Sequence, residues 1–121
     1  MEYAVTSIRA FIGAKDYELS RNFYLDLGFE ERKTGPKMSY FRLGDFGFYL
    51  QDAYVKDWVN NTMLFLEVKD LETHLLRMKS LELDKTYKKV RISHIHYNDW
   101  GKEFFLYDPS GILWHIGEFN N

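Results

Sequence analysis

A repeat inside the chain constrains its fold more than any other feature. Lys15-Asp16 and Lys69-Asp70 lie 54 residues apart, and the same offset pairs Phe11 with Phe65, Ile12 with Leu66, Glu18 with Glu72 and Leu27 with Leu81. A second correspondence, at a spacing of 64, aligns YFRLGDFGFYLQ (40–51) with FFLYDPSGILWH (104–115). A chain of 121 residues written twice in this way is built from two similar modules rather than one irregular domain.

Within each copy the periods are readable. Residues 6–14 and 62–68 alternate as strands, and each runs through Lys-Asp into a helical pattern in which the Asp occupies the N-cap. Tyr17, Ser20, Tyr24 and Leu27 recur at helical spacing in the first copy, as do Leu71, Leu75 and Met78 in the second. A hairpin closes each copy. The second copy is ten residues longer, and KKVRISHIHY within 88–101 predicts a longer strand there. The expectation is an α+β chain of two tandem βαβββ modules, about 1–53 and 62–121, forming one domain over 1–121 with a linker at 53–61. Its mixed sheets curve into a cup, with the helices on the outer face.

Alternation assigns the faces. With tips at Asp45-Phe46 and Pro109-Ser110, one face carries Phe41, Leu43, Phe48, Leu50, Phe105, Tyr107, Ile112, Trp114 and Ile116, an apolar layer suited to a helix. The other carries Tyr40, Arg42, Tyr49, Gln51, Phe104, Leu106, Leu113 and His115, joined from the first strands by Arg9, Phe11, Met63, Phe65 and Glu67. Here composition matters. The chain has 10 Phe, 9 Tyr and 3 Trp, more than a small core needs, and rings left uncovered on a sheet face are a solubility liability. The mixed faces are therefore read as a pocket wall.

Other classes drop out. Zero cysteines exclude disulfides, thiolate zinc sites and a cysteine nucleophile. A formal charge of −2 argues against nucleic acid or an anionic membrane as partner, and no apolar run nears the roughly 18 residues of a membrane span. Met1 to Phe11 lack an export-signal pattern, so a cytoplasmic protein is expected.

The segments AFIGAKDYELSRNFYLDLGF (10–29), LFLEVKDLETHLLRMKSL (64–81) and above all DWGKEFFLYDPSGILWHIGEF (99–119) resemble the vicinal oxygen chelate superfamily. This group contains glyoxalases, bleomycin-resistance proteins, fosfomycin-resistance proteins and extradiol dioxygenases. Trp-Gly-x-Glu-Phe followed by Asp-Pro-x-Gly-x-Leu is similar to the bleomycin-resistance-like branch. The resemblance implies paired modules around a cup, usually in a homodimer, and in the metalloenzymes a divalent ion held at positions matching Arg9, Gln51, Met63 and His115. Only His115 of these is a good ligand. Arg keeps its proton, Met sulfur is soft, and a catalytic ion needs about three protein ligands. No metal and no cofactor are expected, and no catalytic residue is assigned.

The resulting expectation is metal-independent binding or sequestration of a small planar or anionic molecule. Arg9, Phe11, Tyr40, Arg42, Tyr49, Gln51, Met63, Phe65, Trp100, Phe104 and His115 are its candidate ligand-binding residues. Arg9 has an alternative partner in Glu67. His74 reads as structural. Two further readings stand beside this one: a glyoxalase-type metalloenzyme using His115 with His94 or His96, and a dimeric interaction module without a ligand.

Overall fold

A computed structural model describes residues 4–121. Two sheets account for most of the chain. The first contains β1 (Ala10–Gly13), β2 (Glu30–Gly35), β3 (Met38–Leu43) and β4 (Phe46–Gln51) in the order β1-β4-β3-β2, with β1 parallel to β4. The second contains β5 (Met63–Glu67), β6 (Arg91–Ile92), β7 (His96–Asn98), β8 (Gly101–Tyr107) and β9 (Leu113–Phe119). Its order is β5-β9-β8-β6, with β7 also on β8 and β5 parallel to β9. The α+β expectation holds, and the two sheets repeat one strand order.

The helices form where the capping residues predict. In α1 (Tyr17–Leu27) the Asp16 carboxylate accepts from the Leu19 N–H at 3.1 Å, and Gly28, at φ 113°, ends the helix in the left-handed region. In α3 (Leu71–Ser80) Asp70 accepts from Thr73 through both its N–H and its hydroxyl. Two short helices were not foreseen, α2 (Lys56–Asn60) within the expected linker and α4 (Leu83–Thr86).

Helix α1 seats its aromatic stripe against both sheets. Tyr24, with no exposed surface, meets Phe41 and Phe48 of the first sheet and Trp114 of the second at centroid separations of 4.9 to 6.0 Å. Its hydroxyl donates to Asp108 Oδ2 at 2.7 Å and accepts from Trp114 Nε1 at 3.0 Å. The other Asp108 oxygen accepts the N–H groups of Ser110, Gly111 and Ile112. Burial pushes the Asp108 carboxyl above its ordinary range against the pull of these hydrogen bonds, and burial beside Asp108 drives the Tyr24 phenol far upward.

Three expectations need correction. The first strand spans only Ala10–Gly13 of the expected 6–14. The long strand expected within 88–101 is broken into β6 and β7, because four positions from Ile92 to His96 face three from Leu106 to Glu103; Ser93 at the break keeps its N–H on the Phe105 carbonyl while its hydroxyl takes the Phe105 N–H. The hairpin registers also differ. In the first, Leu43 pairs with Phe46 around a Gly44-Asp45 tip, an even slip that sets Tyr40 opposite Tyr49 instead of Gln51 and leaves both on the expected face. In the second, the connection takes five residues, 108–112, and Tyr107 pairs with Leu113. That slip is odd, and it reverses every side chain of β8. Phe104 and Leu106 are in the core at 0% exposure, while Phe105 and Tyr107 share the face of His115.

Candidate functional site

On the first sheet the core-averted face is a cationic aromatic wall. The Arg9 guanidinium lies 4.1 Å from the Tyr40 ring centroid, and its Nη1 donates to the Tyr49 hydroxyl at 2.9 Å. Tyr49 stacks on Phe11 at 4.7 Å with the planes 16° apart, and leans on Tyr40 at 5.1 Å. Gly47 makes this possible: a Cβ there would run into the Phe41 carbonyl and the Tyr40 ring, so only glycine lets that ring lie across β4. Arg32 and Arg42 join Arg9 around a groove of about 560 Å³. Arg42 pairs with exposed Glu30 at 3.0 Å. Arg9 makes no ion pair among the described residues, so the alternative partnership with Glu67 is not formed. Gln51 ends β4 on the same side, half-buried beside the position of Gly13.

The second sheet builds a wall of different chemistry. His115 Nδ1 meets Glu103 Oε1 at 2.7 Å, and its Nε2 is 3.4 Å from Met63 Sδ. Phe65 stacks over the imidazole at 6.3 Å, and Phe105 approaches it edge-on at 5.1 Å. Asn98 donates to the second Glu103 oxygen at 2.9 Å. Trp100 and Phe119 complete a ring cluster with Phe65. Gly117 repeats the part played by Gly47, since a Cβ on it would enter the Phe65 ring.

Of the candidate residues, Arg9, Tyr40 and Tyr49 touch one another on one wall with Phe11 stacked on Tyr49, and Met63, Phe65, Trp100 and His115 are linked on the other. No hydrogen bond, ion pair or ring contact joins the two walls among the described residues. Phe104 does not belong to either, because it is enclosed in the core. Glu103 and Phe105 take its place. Both were hidden by the odd register slip, whose signal in the sequence is Asp108 followed by Pro109: a buried Asp that captures three successive N–H groups requires a wider turn than two residues.

The metal positions do not fit a divalent ion. Arg9 is a donor committed to Tyr49 and Tyr40, His115 is bonded to Glu103 and faces a thioether, and Gln51 offers only an amide oxygen. No group of three or more His, Cys, Asp or Glu suited to a metal occurs among the described residues. The His94 and His96 rings lie 4.4 Å apart, tilted by 31°, with Phe105 beside His96, and no third ligand joins them among the described residues. His74 is half-buried in a small apolar groove between Leu27, Met78 and Trp114.

Solved structures share this fold. A bleomycin-binding protein from bleomycin-producing Streptomyces verticillus, complexed with copper(II)-bleomycin, superposes with a TM-score of 0.80 at 20% identity, covering 99% of this chain and 100% of that one. A bleomycin resistance determinant encoded on the transposon Tn5 gives 0.78 at 19% identity, over 96% of this chain and all of that one. A lactoylglutathione lyase from Agrobacterium tumefaciens gives 0.72 at 19% identity, over 96% of both chains. No family model matches the chain, and no curated protein matches it in sequence. At 20% identity or less, the likeness to these structures is one of fold.

Proposed function

We propose that the protein binds and holds a small planar, anionic molecule without a metal ion, between aromatic walls of the kind described above. One observation carries this reading: Arg9 is a cation fixed on a tyrosine floor that forms no ion pair among the described residues, in a groove where Arg9, Arg32 and Arg42 outnumber the single lining carboxylate, Asp45. A guanidinium held flat by a ring and a phenol has little freedom left to lose on binding, and presents its remaining N–H groups to a carboxylate or a similar oxyanion. Phe11 and Tyr49 offer a face for a planar group.

The two walls belong to one binding site in a homodimer, where the first sheet of one protomer faces the second sheet of its partner. Supporting this, Phe11, Met63 and Phe65 are 56%, 63% and 44% exposed in the single chain, an apolar load that a second copy covers. The bleomycin complex of a protein with the same fold at 20% identity is in keeping with capture of a small molecule, though the present chain's Arg-rich wall favours an anion over a cationic drug. The test is a screen of aromatic carboxylates read by tryptophan fluorescence, since Trp100 lies against Phe65. A saturable response is expected, with affinity lowered at least about tenfold in Arg9→Ala. A screen without any saturable response removes the reading, and sedimentation as a monomer removes the shared site.

A further inference from the structure

A second cationic groove lies where the turn after β1, helix α2, the segment leading into β6 and the β8–β9 turn converge. It has a volume of about 580 Å³, and Lys15, Lys56, Lys88, Lys89 and Arg91 line it with no carboxylate among the lining residues. It shares no residue with the Arg9 groove. The chain as a whole has 18 acidic against 16 basic residues, so five cations in one groove are a local concentration that composition does not supply.

Neutralisation is the question such a groove raises. The basic residues that form ion pairs among the described residues are Arg21, Arg42, Lys85 and Lys102, with His115 on Glu103. None of the five is among them. Instead Lys15 Nζ lies 5.8 Å from the Tyr54 ring centroid, and the Arg91 guanidinium 4.9 Å from that of Tyr107. Rings orient these cations without cancelling them. Mutual repulsion of like charges is thus left in place, and a multivalent anion relieves it.

We infer that this groove is a binding site for a small oligophosphate of nucleotide size, independent of the aromatic walls. Several separate cations match several phosphate groups. The volume falls within the range of about 300–1,000 Å³ usual for small-molecule sites. The two tyrosines at the groove leave a face for a base if one is attached. The net negative charge of the rest of the chain opposes a long polyanion running past the groove, which favours a compact ligand over nucleic acid. Bound there, the anion ties Lys15 and Lys56 to Lys88, Lys89 and Arg91, fastening the first half of the chain to the second.

Calorimetric titration of the full chain with inorganic tripolyphosphate and with ATP, in metal-free buffer, tests the site. Saturable binding is expected, weakened at least about tenfold in Lys88→Gln/Lys89→Gln and at least about threefold in Arg91→Gln. Lys69→Gln/Lys79→Gln, which removes the same charge outside the groove, binds as the wild type. ATP binding more tightly than tripolyphosphate identifies a nucleotide; equal affinities identify the phosphates alone, and either supports the site. Absence of saturable binding, or groove variants that bind like the wild type, overturns it. So does a DNA strand of about 20 nucleotides that outcompetes tripolyphosphate, because salt-dependent polyanion binding then explains the charge.

Discussion

The two hairpins, β3–β4 and β8–β9, begin from aligned sequence and end with different chemistry on their open faces. The first turns at Gly44-Asp45, exposed and without side-chain hydrogen bonds, and keeps Tyr40 and Tyr49 opposite each other under Arg9. The second turns through five residues organised by buried Asp108, and brings Glu103 and Phe105 onto the face of His115. A single residue of register thus separates a cationic tyrosine wall from a Glu-imidazole wall lined by phenylalanine. Duplication copies the topology; turn chemistry decides what each copy presents.

Removing the turn's organiser breaks this contrast most severely. Asp108→Ala leaves the N–H groups of Ser110, Gly111 and Ile112 and the Tyr24 hydroxyl without their acceptor, and about 3 kcal/mol of stability is expected to be lost in urea unfolding. Asp45→Ala at the other tip is expected to stay within about 0.5 kcal/mol.

A smaller difference separates the ion pairs that hold each helix to its sheet. In the first half Glu31 receives Arg21 through both oxygens at 2.6 and 2.7 Å and the Ser39 hydroxyl at 2.6 Å, with both charged side chains largely buried. Arg21 holds the Glu31 carboxyl below its ordinary value of 4.5. Because the folded-state value is depressed, the stabilisation is complete above that ordinary value and disappears as pH falls through the lowered one. Glu31→Gln is expected to cost about 2 kcal/mol near neutrality and to flatten the acid side of the stability profile. In the second half Glu72 meets Lys102 in the open, and Glu72→Gln is expected to leave the unfolding midpoint where it is.

The mildest test concerns the glycines under the rings. Gly117→Ala pushes the Phe65 ring off β9, and since that ring is partly exposed and free to swing, a loss of about 1 kcal/mol is expected. The accompanying sign is a changed Trp100 emission, because Trp100 rests on Phe65. Unchanged emission means that the ring is not held as described.

Much of this was readable before any coordinates. The repeat, the capping aspartates at 16 and 70 and the two helical stripes gave the succession of elements along the chain and the helix positions, because local periodicity and capping are properties of short segments. The Arg9, Phe11, Tyr40 and Tyr49 wall was also readable, since an even slip in the first hairpin preserves faces. Phe104 was misplaced and Glu103 missed because a tip of two residues was assumed where Asp108 builds five. The groove of Lys15, Lys56, Lys88, Lys89 and Arg91 had no signature at all. Its members come from three segments spread over 77 positions, and net charge averages them away.

By itself, then, the sequence determined which residues alternate, where helices start, and that two copies of one unit follow each other. Only the tertiary structure decided which face β8 turns to the core, that Arg9 rests on Tyr40 and Tyr49 and not against Glu67, and that five scattered cations share a groove. Period and capping depend on neighbours a few residues away. Register and charge juxtaposition depend on how a buried carboxylate such as Asp108 is satisfied across 84 residues by Tyr24, and no local pattern encodes that.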